Sequence, residues 1–227
     1  MIIYGKQLFL HVLKKYPNKL REIYLSKQCD PKLFHTIAKE CKNIIRVDNK
    51  KAQSLSRGGN HQGFIARIDD FEFTLFEELK QKNFLLVLDS LTDVGNIGAI
   101  IRSAYAFGAD GLIISGINKI NFESIIRTSS AAAFELPISL FPNTLDMLNE
   151  LKQVGFKTYG ADMNGKNITK VSFNEKKAVI LGSEGEGIQK KVLAKIDEKI
   201  SIRMVRDFDS LNVGAAAAII CDRIANG

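Results

Sequence analysis

Two apolar runs, each breaking into a turn of glycines or small polar residues, constrain this chain most. Residues 178–181 (AVIL) enter Gly182-Ser183-Glu184-Gly185-Glu186-Gly187. The stretch KISIRMV leads to Asp209-Ser210-Leu211-Asn212-Val213-Gly214 and an alanine-rich helix, with a charged helical segment between the two runs. Short continuous apolar strands are buried on both faces, as in a parallel sheet covered by helices, and ligands of such sheets bind at the turns on the carboxyl ends of the strands. FLLVLD, residues 84–89, repeats the pattern. A polar turn follows it, then a helix from about Asn96 closed by Gly108, then a strand at 112–115, which together read as a βαβ unit. Further strands are expected at 137–141 and 156–159, so the class is α/β.

The first 70 residues read differently. They carry 14 Lys/Arg against 6 Asp/Glu, while the remainder carries 18 against 19, so the basic balance belongs to the first third alone. A basic module beside a near-neutral one suits a polyanion held by the first, with a merely soluble basic surface as the plainer alternative. Patterning predicts a small α/β/α sandwich here. A helix carries Leu8, Val12 and Leu13 on one face, a strand covers 21–25, and a helix over 31–41 is capped by Asp30 with Pro31 in its first turn. A strand over 44–47, a polar helix over 49–55 and a closing strand over 63–68 complete it. Between the last two lies SRGGNHQGF, residues 56–64. Its glycines open backbone conformations closed to other residues, and Arg57, Asn60, His61 and Gln62 are candidate contacts to RNA phosphates or bases. For His61 a place in an ordinary polar hairpin entry is the plainer reading. Residues 71–83 are acidic and then helical, without glycine, serine or proline, and read as a packed linker. Residues 84–227 form the second module.

Several classes are excluded. Cys29, Cys41 and Cys221 form no CxxC pair and read as buried or half-buried thiols of a reducing compartment. No histidine lies at ligand spacing from a cysteine, so no metal site is expected. No apolar run approaches the roughly 18 residues of a membrane span, and a cytoplasmic soluble protein is expected. The glycine turn has the order G-x-x-G-x-G rather than the dinucleotide fingerprint. Its two carboxylates would repel a pyrophosphate, so a neutral or cationic ligand fits better.

Within the second module Asn96 is expected in the loop before the helix, where it would cap or brace the turn, with Arg102 projecting from the second helical turn. An arginine on such a helix is usually a solvated residue, a reading that its apolar neighbours Ile100, Ile101 and Ala104 weaken. Thr128-Ser129-Ser130 and the alanines after them let backbones come close, lining a pocket or packing helices. Ser210 and Asn212 suit helix caps, and equally a substrate hydroxyl or phosphate.

Three blocks in order, LTDVGNIGAIIRSA, ILGSEGEGI and ISIRMVRDFDSLNVGAAAAI, resemble the motifs of the SpoU (TrmH-like) class of SPOUT RNA 2′-O-methyltransferases. IYGKQLF and HQGFIARI resemble the start and end of the L30e-like substrate-binding domain of its ribosomal-RNA branch. The resemblance covers nearly the whole chain. It implies an L30e-like domain over 1–70, a linker over 71–83, and a SPOUT parallel-sheet domain over 84–227 whose end is threaded into a trefoil knot and which forms a homodimer. It further implies S-adenosylmethionine held at Gly182, Ile202 and Leu211, and polar site residues at Asn96, Arg102, Glu184, Ser210 and Asn212. The implied reaction is methylation of a ribose 2′-hydroxyl, foremost on a guanosine of 23S ribosomal RNA. A transfer-RNA enzyme and a non-catalytic ribosomal-RNA-binding relative are the alternatives. On this footing Arg102 pairs with a phosphate or the 2′-oxygen, Ser210 and Asn212 orient the nucleotide, and Glu184 braces Arg102 or Asn96. One departure stands out: the branch commonly has serine after SLNV, where this chain has Gly214.

Overall fold

In the computed structural model, which describes residues 1–206 and 210–227, the chain divides into two units. Residues 1–72 together with 122–131 form the first, and residues 73–121 with 132–227 the second.

The first unit runs β1 (Ile2–Tyr4), α1 (Lys6–Lys15), β2 (Leu20–Leu25), α2 (Pro31–Glu40), β3 (Ile44–Arg46), α3 (Asn49–Leu55) and β4 (Phe64–Ile68). Its sheet has the order β1-β4-β2-β3, with β4 antiparallel to both neighbours and β2 parallel to β3. The apolar face of α1 places Leu8, Phe9, Val12 and Leu13 in the core. Asp30 caps α2 as expected, its Oδ1 accepting from the amides of Lys32 at 2.9 Å and Leu33 at 3.2 Å, with Pro31 in the first turn. The edge strand β1 is not foreseen in the sequence. Three residues are too few for an alternating pattern to register.

Helix α6 (Phe122–Thr128) belongs to this first unit although the sequence reading assigns it to the second module. The ring of Phe122 stacks on Phe71 at 3.9 Å, Glu123 accepts a hydrogen bond from the Ile2 amide at 3.2 Å, and the Arg127 guanidinium lies 4.7 Å over the Tyr4 ring. Each contact joins positions far apart in the chain.

The second unit contains α4 (Phe76–Leu79), β5 (Phe84–Asp89), α5 (Val94–Ala106), β6 (Gly111–Ser115), β7 (Ile138–Phe141), α7 (Thr144–Gln153), β8 (Lys157–Asn167), β9 (Lys177–Leu181), α8 (Lys190–Leu193), β10 (Glu198–Ser201) and α9 (Val213–Asn226). The strands form one parallel sheet in the order β10-β8-β9-β5-β6-β7. All six residues of β5 are buried. Leu85 and Val87 point to the face covered by Leu79, Leu151, Val192 and their neighbours on α4, α7 and α8. By the two-residue period of a strand, Leu86 and Leu88 point to the opposite face. Each such Leu or Val contributes about 1.5–3 kcal/mol of burial energy. Helices α5 and α9 pack on each other.

Two elements depart from the sequence reading. The segment between the glycine turn and β10 is helical only over the four residues of α8. Strand β8 runs to Asn167 instead of ending near Tyr159. It resumes pairing with β10 after a register shift, where Gly165 comes so close that a Cβ would lie 2.5 Å from the Ile200 backbone. That close approach tolerates only glycine.

The order in which strands are added reverses beside β5, whose successors β6 and β7 lie on one side while β9 lies on the other. Ligands of open α/β sheets bind outside the carboxyl ends of the strands at a switch point of this kind.

Candidate active site

A buried carboxyl group stands at this switch point. Asp89 ends β5 with no exposed surface. Its Oδ1 accepts from the Thr144 hydroxyl at 2.8 Å and its Oδ2 from the Gln189 amide at 3.0 Å. Ser90 follows in the left-handed region at φ 60°, and its hydroxyl accepts from Gln189 Nε2 at 2.6 Å. Opposite it, Gly116 stands where a Cβ would meet Ser90 Oγ at 2.4 Å. A buried charge is tolerated only when hydrogen bonds satisfy it. Here they bind the end of β5 to the residue just beyond the glycine turn. One hint of this stands in the sequence, an aspartate closing an otherwise apolar strand.

The glycine turn itself is a closed ring. Ser183 and Gly187 exchange backbone hydrogen bonds at 3.1 and 2.9 Å, with Gly187 at φ 66°. A Cβ on Gly182 would fall 1.9 Å from the Gly187 carbonyl carbon, so the base of the turn admits no side chain. Glu184, Gly185 and Glu186 stand exposed at its tip.

A single amide joins three elements here. Asn212 is the N-cap of α9, and its Oδ1 accepts from the amides of Gly214 at 2.9 Å and Ala215 at 3.3 Å. Its Nδ2 donates to Asn96 Oδ1 and to Glu184 Oε1, both at 2.8 Å. Two donors meet one end of the amide and two acceptors the other, so its orientation is determined. Asn96 from the first turn of α5, Glu184 from the glycine turn and Asn212 from the cap of α9 thus converge, across as many as 116 positions of chain.

Three expectations are corrected. Asn96 lies inside the first turn of α5 rather than in the loop. Asp93 is the cap, accepting from the Asn96 amide at 2.7 Å. Glu184 braces Asn212 and not Arg102 or Asn96 directly. Asn212 has both amide hydrogens and its oxygen engaged within the protein, which leaves it no donor with which to orient a nucleotide. The groups with open capacity are others. Arg102 is exposed on α5 with no hydrogen bond or ion pair among the described residues, and Ser210 is exposed just before the cap. Ile202 is half-buried beyond β10, and Leu211 is 36% exposed. Residues 207–209 of the third motif lie outside the described residues. Gly214 faces α5, and a Cβ there would sit 3.1 Å from Asn212 Oδ1 and 3.3 Å from the Ala99 Cβ. The missing side chain therefore belongs to close packing of α9 on α5.

In the first unit, Arg57 and Asn60 are exposed, as is Gln62, whose Oε1 accepts from the Lys6 amide at 2.9 Å and so caps α1. His61 is corrected: it is only 4% exposed. Its Nδ1 accepts from the Gly63 amide at 3.1 Å, and Nε2 lies 3.3 Å from Gln53 Nε2. The imidazole holds the loop together and does not face a ligand. Among the described residues no cluster of His, Cys, Asp and Glu could hold a metal ion, and no helix is long and apolar enough to cross a membrane.

Residues 83–222 match the family model described as the SpoU rRNA Methylase family, and residues 2–74 match that described as RNA 2′-O ribose methyltransferase substrate binding. The chain is 32% identical over 208 residues to a protein of Archaeoglobus fulgidus named as an uncharacterized tRNA/rRNA methyltransferase, covering 88% of each protein. It is 33% identical over 215 residues to one of Borreliella burgdorferi, covering 87% of this chain and 94% of the other. Its fold is similar to that of the SpoU methyltransferase AviRb from Streptomyces viridochromogenes in complex with the cofactor AdoMet. The TM-score is 0.80 at 22% identity, over 99% of this chain and 89% of that one.

Proposed function

The chain belongs to the SpoU family of RNA methyltransferases, and from that premise we propose that it transfers a methyl group from S-adenosylmethionine to a ribose 2′-hydroxyl of structured RNA, foremost ribosomal RNA of the large subunit. The observation that carries the proposal is the Asn212 junction, which holds α5, the glycine turn and α9 together at the carboxyl ends of β5 and β9. A basic first module favours a large folded RNA over a free nucleotide. A transfer RNA is the second reading, because the relatives carry both RNAs in their names.

The donor set suits this cofactor. A side-chain-free turn presents backbone groups, Ile202 and Leu211 offer apolar surface, and the Glu184 and Glu186 carboxylates favour a cationic ligand over a pyrophosphate. S-adenosylmethionine, when bound, supplies an electrophilic methyl carbon and takes up the electron pair of the breaking carbon–sulfur bond as a neutral thioether. The chain's own residues orient and stabilise. Arg102, a cation without a carboxylate partner among the described residues, meets the 2′-oxygen or an adjoining phosphate as the hydroxyl proton passes to solvent water. Ser210 and the Asn96 Nδ2, which has no acceptor among the described residues, supply neutral donors, while Glu184 and Asn212 act as positioning residues. We infer further that the segment around α9 is threaded as a trefoil knot and that two copies pair through the second unit, where α5 and α9 expose Tyr105 and Ile219. The expected site of action is the cytoplasm.

The test is transfer of labelled methyl from S-adenosylmethionine to total RNA of a strain lacking this protein, with products mapped by resistance of the modified linkage to alkali. Label on one ribose of large-subunit ribosomal RNA supports the proposal, and label in transfer RNA supports the second reading. Label on a base, or no transfer despite cofactor binding, overturns both.

A further inference from the structure

A groove of about 570 Å³ opens on the first unit between β1, α1, the loop before β4 and the end of α6. Tyr4, Lys14, Asn60, Gln62, Arg127 and Ser130 line it. Four observations bear on what it could take. Arg127 is half-buried with its guanidinium 4.7 Å over the Tyr4 ring, and it has no carboxylate partner among the described residues. Lys14, exposed on α1, likewise has none. Asn60 and Gln62 bring amide groups from a loop held in shape by left-handed residues, Arg57 at φ 50° and Gln62 at φ 54°. On the opposite side Ser130 and Ala131 are left-handed in succession, at φ 52° and 72°. Such strain in residues with side chains is kept only where the surroundings over-determine it, and it gathers at binding sites.

A half-buried guanidinium backed by an aromatic ring offers a flat cationic surface, and the groove around it adds a lysine and two amides. A sulfate or an acidic side chain would use the charge but not the plane. A nucleobase uses both: bases stack on arginine planes and aromatic faces, their edges hydrogen-bond to amides, and the neighbouring phosphate pairs with a lysine. We propose that this groove binds an unpaired nucleotide of the RNA substrate, distinct from the methylated one, with its base on Arg127 and Tyr4. Arg127 and Ser130 come from a segment 50 and more positions beyond the rest of the first unit, so the RNA-reading surface is assembled from both parts of the sequence. The inference rests on the reading of the protein as an RNA methyltransferase and adds where the substrate is gripped outside the reacting ribose.

The test uses the full chain and a short single-stranded RNA of mixed sequence carrying 4-thiouridine, with the same RNA annealed as a duplex for comparison. Crosslinks are expected at peptides containing Tyr4 or Arg127, with the single strand bound more tightly than the duplex. Lys14→Glu, on an exposed helix face where folding is not at stake, should weaken binding about tenfold, and Arg127→Ala by about the same factor. Arg127→Lys separates stacking from charge: the salt dependence of binding should stay as in the wild type while crosslinking falls. Crosslinks confined to other peptides, or wild-type affinity in both Lys14→Glu and Arg127→Ala, would overturn the groove assignment. If such a result comes with intact methyl transfer to total RNA, the methyltransferase reading survives and only the groove fails. Absence of both RNA binding and methyl transfer in the wild type defeats the two together.

Discussion

Replacing Asn212 by aspartate changes one atom type and little else, so its effect can be worked out from the structure. The cap survives, because Oδ1 still accepts from Gly214 and Ala215. A negative charge at the start of α9 adds about 0.5 kcal/mol of stabilisation. The other end of the side chain is reversed in sense. Where Nδ2 donates to Asn96 and Glu184, an oxygen would now stand 2.8 Å from each acceptor. Two carboxylates about 3–4 Å apart in contact with water repel by about 1 kcal/mol, and Glu184, exposed at the tip of the turn, relieves this by swinging away. The two contributions nearly cancel, so Asn212→Asp should unfold within about 1 kcal/mol of the wild type. Asn212→Ala, which loses the cap, should lose about 1–2 kcal/mol. Function should rank otherwise. Both variants release the glycine turn from α5 and α9, so both should lose at least about tenfold in methyl transfer and weaken cofactor binding. Like-charge contact raises carboxylate pKa values, so cofactor affinity of Asn212→Asp should partly recover as the solution is acidified towards the carboxylate range, where one protonated oxygen can donate again. Thermal unfolding, calorimetric titration with S-adenosylmethionine and methyl transfer on the same samples decide the matter. Wild-type affinity in Asn212→Asp, or activity losses that merely follow the stability losses, would refute the positioning role.

Four further outcomes follow from the same accounting. Asp89→Asn keeps an acceptor for Thr144 but cannot accept from the Gln189 amide as well. It should cost about 1–3 kcal/mol in denaturant unfolding and weaken cofactor binding, because the turn loses its anchor. Arg102→Ala should lower methyl transfer by a factor that does not vary with pH while RNA binding in a gel-shift assay stays intact, since a guanidinium does not titrate in the working range. Burial alone would raise the carboxyl pKa of Asp197, but hydrogen bonds from Lys152 and Thr158 outweigh it and hold the group below its usual 3.8. That stabilisation is present above the ordinary carboxylate range and lost as pH falls through the depressed value. Asp197→Asn should therefore be less stable by about 1 kcal/mol near neutrality, solvent screening included, with the gap closing in acid thermal melts. Burial pushes the Cys221 thiol up to about 12, and Cys41 is buried too, so mass spectrometry after alkylation should find only the half-buried Cys29 modified until the protein is unfolded.

The parts of the fold legible in the sequence are those in which local pattern and burial agree. FLLVLD reads as a strand buried on both faces because it is one, and Asp30-Pro31 reads as a helix start because cap and first-turn chemistry are local. Asn96 is misplaced for a related reason. Asp93 and Asn96 are both good caps three positions apart, and which one caps depends on where the α5 helix can begin on the sheet, which is a tertiary matter. β1 and the continuation of β8 are illegible because their partners, β4 and β10, lie far along the chain and no periodicity announces them. The assignment of α6 to the first unit is of the same kind, resting on Phe71, Ile2 and Tyr4 meeting Phe122, Glu123 and Arg127.

In each unit taken by itself, a list of polar residues does not separate those that react from those that hold. Hydrogen-bond capacity does. Asn212 has every donor and acceptor taken by the protein, His61 has both ring nitrogens facing protein groups, and both carboxylate oxygens of Asp89 accept bonds in the core. Such groups are saturated, and a ligand could engage them only by breaking bonds whose loss leaves a polar group unpaired. Arg102, Ser210 and Arg127 are the reverse case, with hydrogen-bonding capacity that the described residues leave unused. A half-buried cation without a carboxylate partner, as Arg127 is among the described residues, is costly for the free protein, and an anionic or polarisable ligand is what would relieve it. The saturated residues therefore set the geometry, and the unsaturated ones are where substrate chemistry should be sought.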